Sequence, residues 1–282
     1  MLQEASPSLE PMFRARAARA VGRGLRGMAP HGAVILWDQW RALDLAAVEP
    51  LRRAPLEVLR DPVTLEREVL PAVGVVGHMP AVFPAELAPH LGRGLRCWQH
   101  PRQFAPYLVA LSQLPIQRYC ELGVMHGGTF VATVEYLSRF RPLRQATAVD
   151  VSSMLALRRY RRPDGEVRLA RLDTGSPEFP ALLRELRPDL VLIDADHTYE
   201  AVRRDFGNVH GIANAIAFHD LVDSASPGVG MVWREICDEH RDTYDFMEFV
   251  EQYPEVTTRL GGTVLGIGLA VRKGFIPPRA SL

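Results

Sequence analysis

Two carboxylates and two histidines stand directly after two apolar runs in the second half of the chain. Asp194-Ala-Asp-His-Thr-Tyr199 follows the run Asp189–Ile193, and His219-Asp220 follows the run Ala215–Phe218. Histidine titrates near neutral pH, so an imidazole at such a place can remove the proton of a reacting hydroxyl. These residue types predict a polar cluster that positions an acceptor oxygen and takes its proton.

A glycine-rich turn lies upstream of this cluster. Glu121-Leu-Gly-Val-Met-His-Gly-Gly128 ends an apolar run and opens a helical pattern. Glycine has no Cβ, so the backbone of such a turn can approach a ligand closely. The second glycine comes four residues after the first, which does not match the dinucleotide fingerprint Gly-x-Gly-x-x-Gly. Asp150 ends the next apolar run, where a carboxylate can accept hydrogen bonds from both hydroxyls of a ribose.

The chain after residue 100 alternates apolar runs with helical patterns, which predicts a parallel sheet covered by helices on both faces. The predicted strands are Ile116–Leu122, Ala146–Val149, Val167–Leu172, Asp189–Ile193, Ala215–Phe218 and Val264–Val271. The predicted helices are Phe104–Leu114, a helix from Gly127 to Phe140, Pro180–Leu186, Tyr199–Phe206 and a broken helix over Trp233–Val250. The acidic and histidine residues all fall at strand carboxyl ends, where such sheets bind ligands.

Residues 1–95 lack the regular alternation of apolar runs and helical patterns. This difference predicts an extension that packs on a main domain of residues 96–282. Phe13–Leu25 has the spacing of an arginine-rich helix, Ala33–Trp37 that of a short strand, and Pro62–Leu70 that of a helix. Prolines then break the chain into loops. Two roles fit this extension, a lid over the acceptor and a contact between subunits of a homo-oligomer.

Composition narrows the class of protein. Lys+Arg and Asp+Glu both total 33, so the formal net charge is zero, which gives no general attraction to nucleic acid or to a membrane. The three cysteines are far apart, which argues against a disulfide framework and a thiolate zinc site. No apolar run has the roughly 18 residues of a membrane helix. We expect a soluble, cytoplasmic protein whose partner is a small-molecule acceptor.

With these motifs the sequence resembles the class I S-adenosylmethionine-dependent methyltransferases over about residues 96–272. The resemblance implies their Rossmann-like fold, a mostly parallel seven-stranded sheet with helices on both faces. It implies that S-adenosyl-L-methionine binds the loop of the first motif and the acidic residues at the later strand ends. The cofactor residues it implies are Glu121, Gly123, Gly127, Gly128, Asp150, Asp173 and Asp194. Asp173 precedes Thr-Gly-Ser, so capping of the next turn is an alternative role for it.

The acid and histidine cluster further resembles the metal-dependent O-methyltransferases, in which a divalent cation acidifies a hydroxyl. That resemblance implies Asp194 and Asp220 as metal ligands, His219 as a third, and His197 as the catalytic base, with Asp194 and His219 also catalytic. The pair His219-Asp220 departs from the usual carboxylate and amide pairs. Magnesium prefers oxygen ligands, so manganese, iron or zinc become better candidates here.

A closer resemblance is to bacterial small-molecule O-methyltransferases that carry Ile-Asp-x-Asp-His-x-Tyr and Phe-His-Asp, both present here, after a segment like Trp98-Gln-His-Pro-Arg-Gln-Phe104. Trp98, Phe104 and Tyr107 are then expected either to line the site or to pack in the core. The acceptor would be a hydroxyl of a sugar, a polyketide or a phenolic natural product. The alternatives are a metal-free N-methyltransferase, a nicotinamide-dependent oxidoreductase and a non-catalytic scaffold.

Overall fold

A sheet of seven strands organises the protein. The structure, a computed structural model, describes residues 42–275. Its strands are β1 (Arg118–Leu122), β2 (Gln145–Asp150), β3 (Glu166–Arg171), β4 (Leu190–Ile193), β5 (Ala215–His219), β6 (Tyr244–Phe249) and β7 (Ile267–Arg272). Their order across the sheet is β3-β2-β1-β4-β5-β7-β6. Strands β1 to β5 pair in parallel, whereas β7 runs antiparallel to both β5 and β6.

Helices cover both faces of this sheet. They are α1 (Glu49–Arg53), α2 (Leu56–Arg60), α3 (Pro62–Thr64), α4 (Leu70–Val73), α5 (Pro101–Ser112), α6 (Gly128–Ser138), α7 (Phe179–Leu186), α8 (Tyr199–Val209), α9 (Pro227–Glu239) and α10 (Pro254–Leu260). The residues of β4 are buried throughout, as expected for a strand with helices on both sides. Between residues 42 and 275, no helix combines the length and hydropathy needed to span a membrane.

This arrangement confirms the predicted Rossmann-like fold of class I methyltransferases. The strand order runs outward from β1 in one direction and from β4 in the other, so the topological switch lies between these two neighbours. Open α/β sheets bind ligands at the carboxyl ends of the strands beside such a switch. The glycine-rich turn follows β1 and the first acidic residues follow β4, so both lie at this point.

One predicted element is wrong. Trp233–Val250 does not form a broken helix, because the chain leaves the helix at His240 and returns to the sheet as β6. Tyr244 is buried against the sheet and Asp245 is exposed, the alternation of an edge strand. The aromatic residues of this stretch are as compatible with a helix face as with a strand, and pairing with β7 decides between them.

The described part of the extension shares the core of the sheet domain. Leu51 and Leu59 are fully buried in the same apolar cluster as Phe130 and Tyr136 of α6. The predicted helix Pro62–Leu70 is present within a continuous helical stretch over residues 62–73, which contains a π-helical turn. The boundary at residue 95 remains a prediction. The predicted helix Phe13–Leu25 and strand Ala33–Trp37 lie outside the described residues.

An ion pair fastens the extension to α6. Arg52 donates to both carboxylate oxygens of Glu135, each at 2.8 Å, and Tyr160 donates its hydroxyl to the same carboxylate at 2.8 Å. The Glu135 side chain is 6% exposed and that of Arg52 is 43% exposed. Loss of the guanidinium would therefore leave the buried Glu135 carboxylate with the hydrogen bond from the Tyr160 hydroxyl but without a counter-charge from Arg52.

We predict that Arg52→Ala lowers the free energy of unfolding by about 1–2 kcal/mol, a value reduced for the solvent exposure of the arginine. Arg53→Ala is the matched control, since the Arg53 side chain is 82% exposed and pairs with Glu49 on the surface. That control should change stability by less than about 0.5 kcal/mol. Urea denaturation of both variants measures the difference. Equal stabilities would mean that the Glu135 pair does not hold the extension.

Candidate active site at the carboxyl ends of the parallel strands

The glycine-rich turn after β1 is held in place by the end of β2. Val124 and Met125 each donate a backbone N–H to the same Asp150 carboxylate oxygen at 2.9 Å. The other oxygen accepts from the Ser152 N–H at 2.7 Å. The Asp150 carboxylate, which was predicted to hold a ribose, therefore fixes the shape of the turn. A ligand can bind it only where these three hydrogen bonds leave an oxygen lone pair free.

Three glycines of the turn face protein atoms closely. A Cβ at Gly123 would lie 2.2 Å from the Asp194 carbonyl oxygen, and one at Gly128 would lie 2.2 Å from the Leu95 carbonyl oxygen. At Gly127 a Cβ would meet the Leu157 side chain at 2.4 Å. Packing of the chain on itself thus requires glycine at each position, whatever ligand the turn binds.

We predict that Gly123→Ala destabilises the protein by at least about 2 kcal/mol, since it adds a left-handed alanine to the overlap with Asp194. The backbone there has a φ of +81°. Gly207→Ala in α8 is the control, because a Cβ there meets nothing within 4 Å. It should stabilise the helix by about 0.5–1 kcal/mol. Thermal unfolding separates the two, and a neutral Gly123→Ala would contradict the close contact seen here.

Glu121 lies beneath the turn and is fully buried. The Tyr119 hydroxyl donates a short hydrogen bond to its carboxyl group. Burial raises the pKa of Glu121 to about 8, a rise opposed by this hydrogen bond and reinforced by the negative charges of Asp194 and Asp150. At neutral pH the Glu121 side chain is therefore mostly protonated.

We predict that Glu121→Gln stabilises the folded chain at alkaline pH. Because the pKa of Glu121 is raised from 4.5 to about 8, folding favours its protonated form, and the wild type loses stability as the pH rises between these values. Glutamine does not titrate, so the variant should gain several kcal/mol over the wild type between about pH 5 and about pH 9. Denaturant unfolding at both pH values tests this, with exposed Asp164→Asn as the control. A pH-independent difference would refute it.

The acid and histidine cluster converges as the sequence predicted. Asp194 Oδ1 lies 3.2 Å from His197 Nε2 and 2.9 Å from His219 Nδ1. Asp220 reaches the same two rings, with Oδ2 at 3.1 Å from His197 Nδ1 and Oδ1 at 3.1 Å from His219 Nδ1. Two carboxylates thus hold two imidazoles between the ends of β4 and β5.

Charges within the cluster compensate one another. Burial lowers the pKa of His219, but the Asp194 and Asp220 carboxylates outweigh it and raise that pKa to about 9. Burial also raises the pKa of Asp194, but His219 and His197 outweigh it and lower that pKa to about 2. The His219 imidazolium is therefore the counter-ion of the ionised Asp194.

The backbone conformations of Asp220 and of the residues before α8 position the side chains of the cluster. Asp220 has a φ of +60°, a left-handed conformation that is uncommon for a residue other than glycine. His197 precedes α8, whose N-terminus is capped by the Thr198 hydroxyl, while Asp196 accepts from the Thr198 N–H. Capping is thus done by its neighbours, and the His197 ring is left to the cluster.

The Asp173 carboxylate accepts a hydrogen bond from the Gly175 N–H at 2.7 Å. It therefore caps the turn, the role expected for it as an alternative to cofactor binding. It also lines a cleft of about 290 Å³ together with Val151, Arg171 and Leu172. Val151 follows Asp150 directly and is 64% exposed. The cleft beside the ends of β2 and β3 thus combines an exposed apolar side chain with the charged Arg171 and Asp173.

Residues before β1 contribute more to the surroundings of the cluster than the sequence indicated. Phe104 and Tyr107 pack in the core, which was one of the two roles expected for them. The Trp98 ring packs against the His78 ring, with 4.5 Å between the ring centroids. His100 was missed. Its Nε2 lies 2.5 Å from the Val82 carbonyl oxygen, and burial, assisted by the charge of His219, lowers the pKa of His100 to about 4. Its place in the segment Trp98–Phe104, which is part of the family resemblance, could have identified it.

No family model and no curated protein matches the chain. Among solved structures it is similar to cofactor-bound Rv0187 from MTB, with 16% identity, 96% of this chain and 99% of that chain covered, and a TM-score of 0.43. It is also similar to CalS11, a TDP-rhamnose 3'-O-methyltransferase of calicheamicin biosynthesis, with 15% identity, 81% and 92% covered, and a TM-score of 0.41. A third is the MycE methyltransferase from the mycinamycin pathway in complex with Mg, SAH and mycinamycin VI, with 16% identity, 64% and 53% covered, and a TM-score of 0.42. At this level similarity assigns no function, so the site residues must do so.

Proposed function

We propose that the protein is an S-adenosylmethionine-dependent methyltransferase that moves a methyl group to a hydroxyl of a small molecule such as a sugar, a polyketide or a phenol. One observation carries this proposal. The Asp194 backbone packs directly against Gly123 of the turn, while the Asp194 carboxylate contacts the imidazoles of His197 and His219. The cofactor turn and the proton-accepting cluster therefore share a residue, as a methyl donor and its acceptor require.

An elongated cofactor fits the order of the strands. The cleft beside Val151 lies at the ends of β2 and β3, the glycine turn at the end of β1, and the cluster at the ends of β4 and β5. From β2 to β4 is two strand spacings, about 10 Å. An adenine in the cleft, a ribose near Asp150 and a methionine part on the turn would leave the methyl group facing the cluster.

Carboxyl groups along this line suit a cationic donor. S-adenosylmethionine carries a sulfonium and an ammonium, which Glu121, Asp150 and Asp194 would stabilise. Glu121 is mostly protonated in the free protein, and a bound cation favours its ionised form. The buried acid beneath the turn is therefore a group whose charge follows cofactor binding.

Transfer to oxygen is an in-line displacement, in which the acceptor oxygen attacks the methyl carbon, the carbon–sulfur bond breaks and the hydroxyl proton leaves. Two routes for that proton fit the cluster. In the first, His197 takes it, with Asp220 orienting the ring through Nδ1. In the second, Asp194, His219 and Asp220 would hold a divalent cation such as Mg, Mn or Fe, which would supply a positive charge that lowers the pKa of the acceptor hydroxyl.

We predict that S-adenosylhomocysteine binds the purified chain and that NAD does not, as measured by calorimetry. Asp194→Asn should cut methyl transfer from labelled donor to a panel of catechols and sugar diols at least about 100-fold, because it removes the charge that orients both imidazoles. S-adenosylhomocysteine binding should change far less.

Exposed Asp164→Asn serves as the control and should transfer at the wild-type rate. NAD binding without S-adenosylhomocysteine binding would favour an oxidoreductase instead. Transfer to amine probes alone, at full rate in a chelator, would indicate an N-methyltransferase. Transfer unaffected by Asp194→Asn would place the chemistry elsewhere.

A further inference from the structure

We infer that Asp194, His197 and His219 form a two-histidine, one-carboxylate site for a first-row transition-metal ion, with Asp220 as an outer carboxylate that orients the imidazoles. The inference deepens the proposed function, on which its position beside the acceptor rests. It changes the predicted assignment in two ways. His197 becomes a ligand rather than the base, and Asp220 moves out of the ligand set.

The three donor atoms are spaced for one ion. Ligand atoms of Asp194, His197 and His219 all lie within 4.8 Å of one another. The distances from Asp194 Oδ1 are 3.2 Å to His197 Nε2 and 2.9 Å to His219 Nδ1. Metal–nitrogen and metal–oxygen bonds of about 2.0–2.2 Å place neighbouring ligands of one ion roughly 3 Å apart. The two separations from Asp194 Oδ1 match that spacing.

His219 provides an independent observation. Its side chain is 4% exposed, and Nδ1 lies 2.9 Å from Asp194 Oδ1 and 3.1 Å from Asp220 Oδ1. Neither ring nitrogen nevertheless has a partner in hydrogen-bond geometry, and the same is true of Asp220 Oδ1. Buried polar atoms are seldom left without a partner. His219 Nδ1, which lies at ligand spacing from Asp194 Oδ1 without a hydrogen bond to it, is therefore placed to share a cation with that oxygen.

Asp220 occupies the place of an outer carboxylate for His197. Its Oδ2 lies 3.1 Å from His197 Nδ1, while His197 Nε2 faces Asp194. A histidine that binds a metal through one nitrogen commonly donates the other N–H to a carboxylate, which fixes the tautomer and the ring orientation. The left-handed backbone of Asp220 holds that carboxylate between the two rings.

This donor set selects the class of ion. Magnesium prefers oxygen ligands and keeps much of its water, whereas imidazole suits zinc, iron, cobalt and nickel. Two imidazoles and one carboxylate therefore favour a transition metal over magnesium. Three protein ligands leave positions for acceptor oxygens, so the preferred acceptor would carry two neighbouring hydroxyls, and a hydroxyl bound there would lose its proton more readily.

The test measures metal binding without cofactor or acceptor. The full chain, stripped with a chelator, is titrated with Co²⁺, Zn²⁺ and Mg²⁺, followed by calorimetry and by the visible absorption of cobalt. We expect one Co²⁺ or Zn²⁺ per chain, bound at least about 100-fold more tightly than Mg²⁺. His197→Gln and His219→Gln should each weaken Co²⁺ binding at least about 10-fold.

His210→Gln is the matched control. That imidazole contacts the Tyr244 hydroxyl at the far end of α8, and its loss should leave Co²⁺ affinity unchanged. His219→Asp tests selectivity by gain of function, because an added carboxylate should raise Mg²⁺ affinity relative to that of Co²⁺. Unfolding midpoints of each variant verify that it folds.

Two results would overturn the inference: Mg²⁺ binding as tight as that of Co²⁺, or a His197→Gln variant with wild-type Co²⁺ affinity. S-adenosylhomocysteine titrations of the same stripped samples keep the two proposals apart. Cofactor binding without metal binding refutes the metal site alone. Metal binding without cofactor binding refutes the methyltransferase alone.

Discussion

The site depends on how closely the turn after β1 approaches the end of β4. Gly123 can lie against the Asp194 carbonyl because no Cβ stands between them, and the pairing of β1 with β4 brings the two strand ends together. This contact sets the distance between the cofactor turn and the acid and histidine cluster. A residue with a side chain at position 123 would push them apart, so the glycine serves the geometry of the whole site as well as the turn.

Four acidic residues lie at this edge of the sheet, and the protein accommodates their carboxyl groups in three different ways. Glu121 is buried and mostly protonated. Asp150 accepts three backbone N–H groups. Asp194 and Asp220 share two imidazoles. Burying several carboxylates together is costly unless each has a partner or a proton. The different partners allow one edge of a sheet to hold a protonated acid beneath the glycine-rich turn and two ionisable pairs at the ends of β4 and β5.

Most of the sheet could be predicted from the sequence because buried parallel strands are apolar runs, and four of the runs here are followed directly by an acidic residue or a histidine, namely Asp150, Asp173, Asp194 and His219. Strand β6 could not be predicted in this way. Its aromatic residues follow a helix directly, and only pairing with β7 makes the stretch extended. The convergence of Asp194, His197 and His219 was predictable from strand ends. The role of Asp150 in fixing the turn, and the contact of Asp220 with both rings, depend on side-chain directions that sequence spacing does not specify.

A wall that begins directly after Asp220 is built by α5 and by the segments that flank β7. Gln103 of α5 is buried and bonds to the Glu251 and Val264 carbonyls and to the Gly266 N–H. The segment it holds pairs in turn with residues that follow Asp220, since Leu221 and Val222 donate their N–H groups to Gly266 and Leu265. His100, directly before α5, is fully buried and its Nε2 contacts the Val82 carbonyl oxygen. The glycine-rich turn and the cluster lie at the ends of strands, whereas this wall joins segments that are distant in sequence.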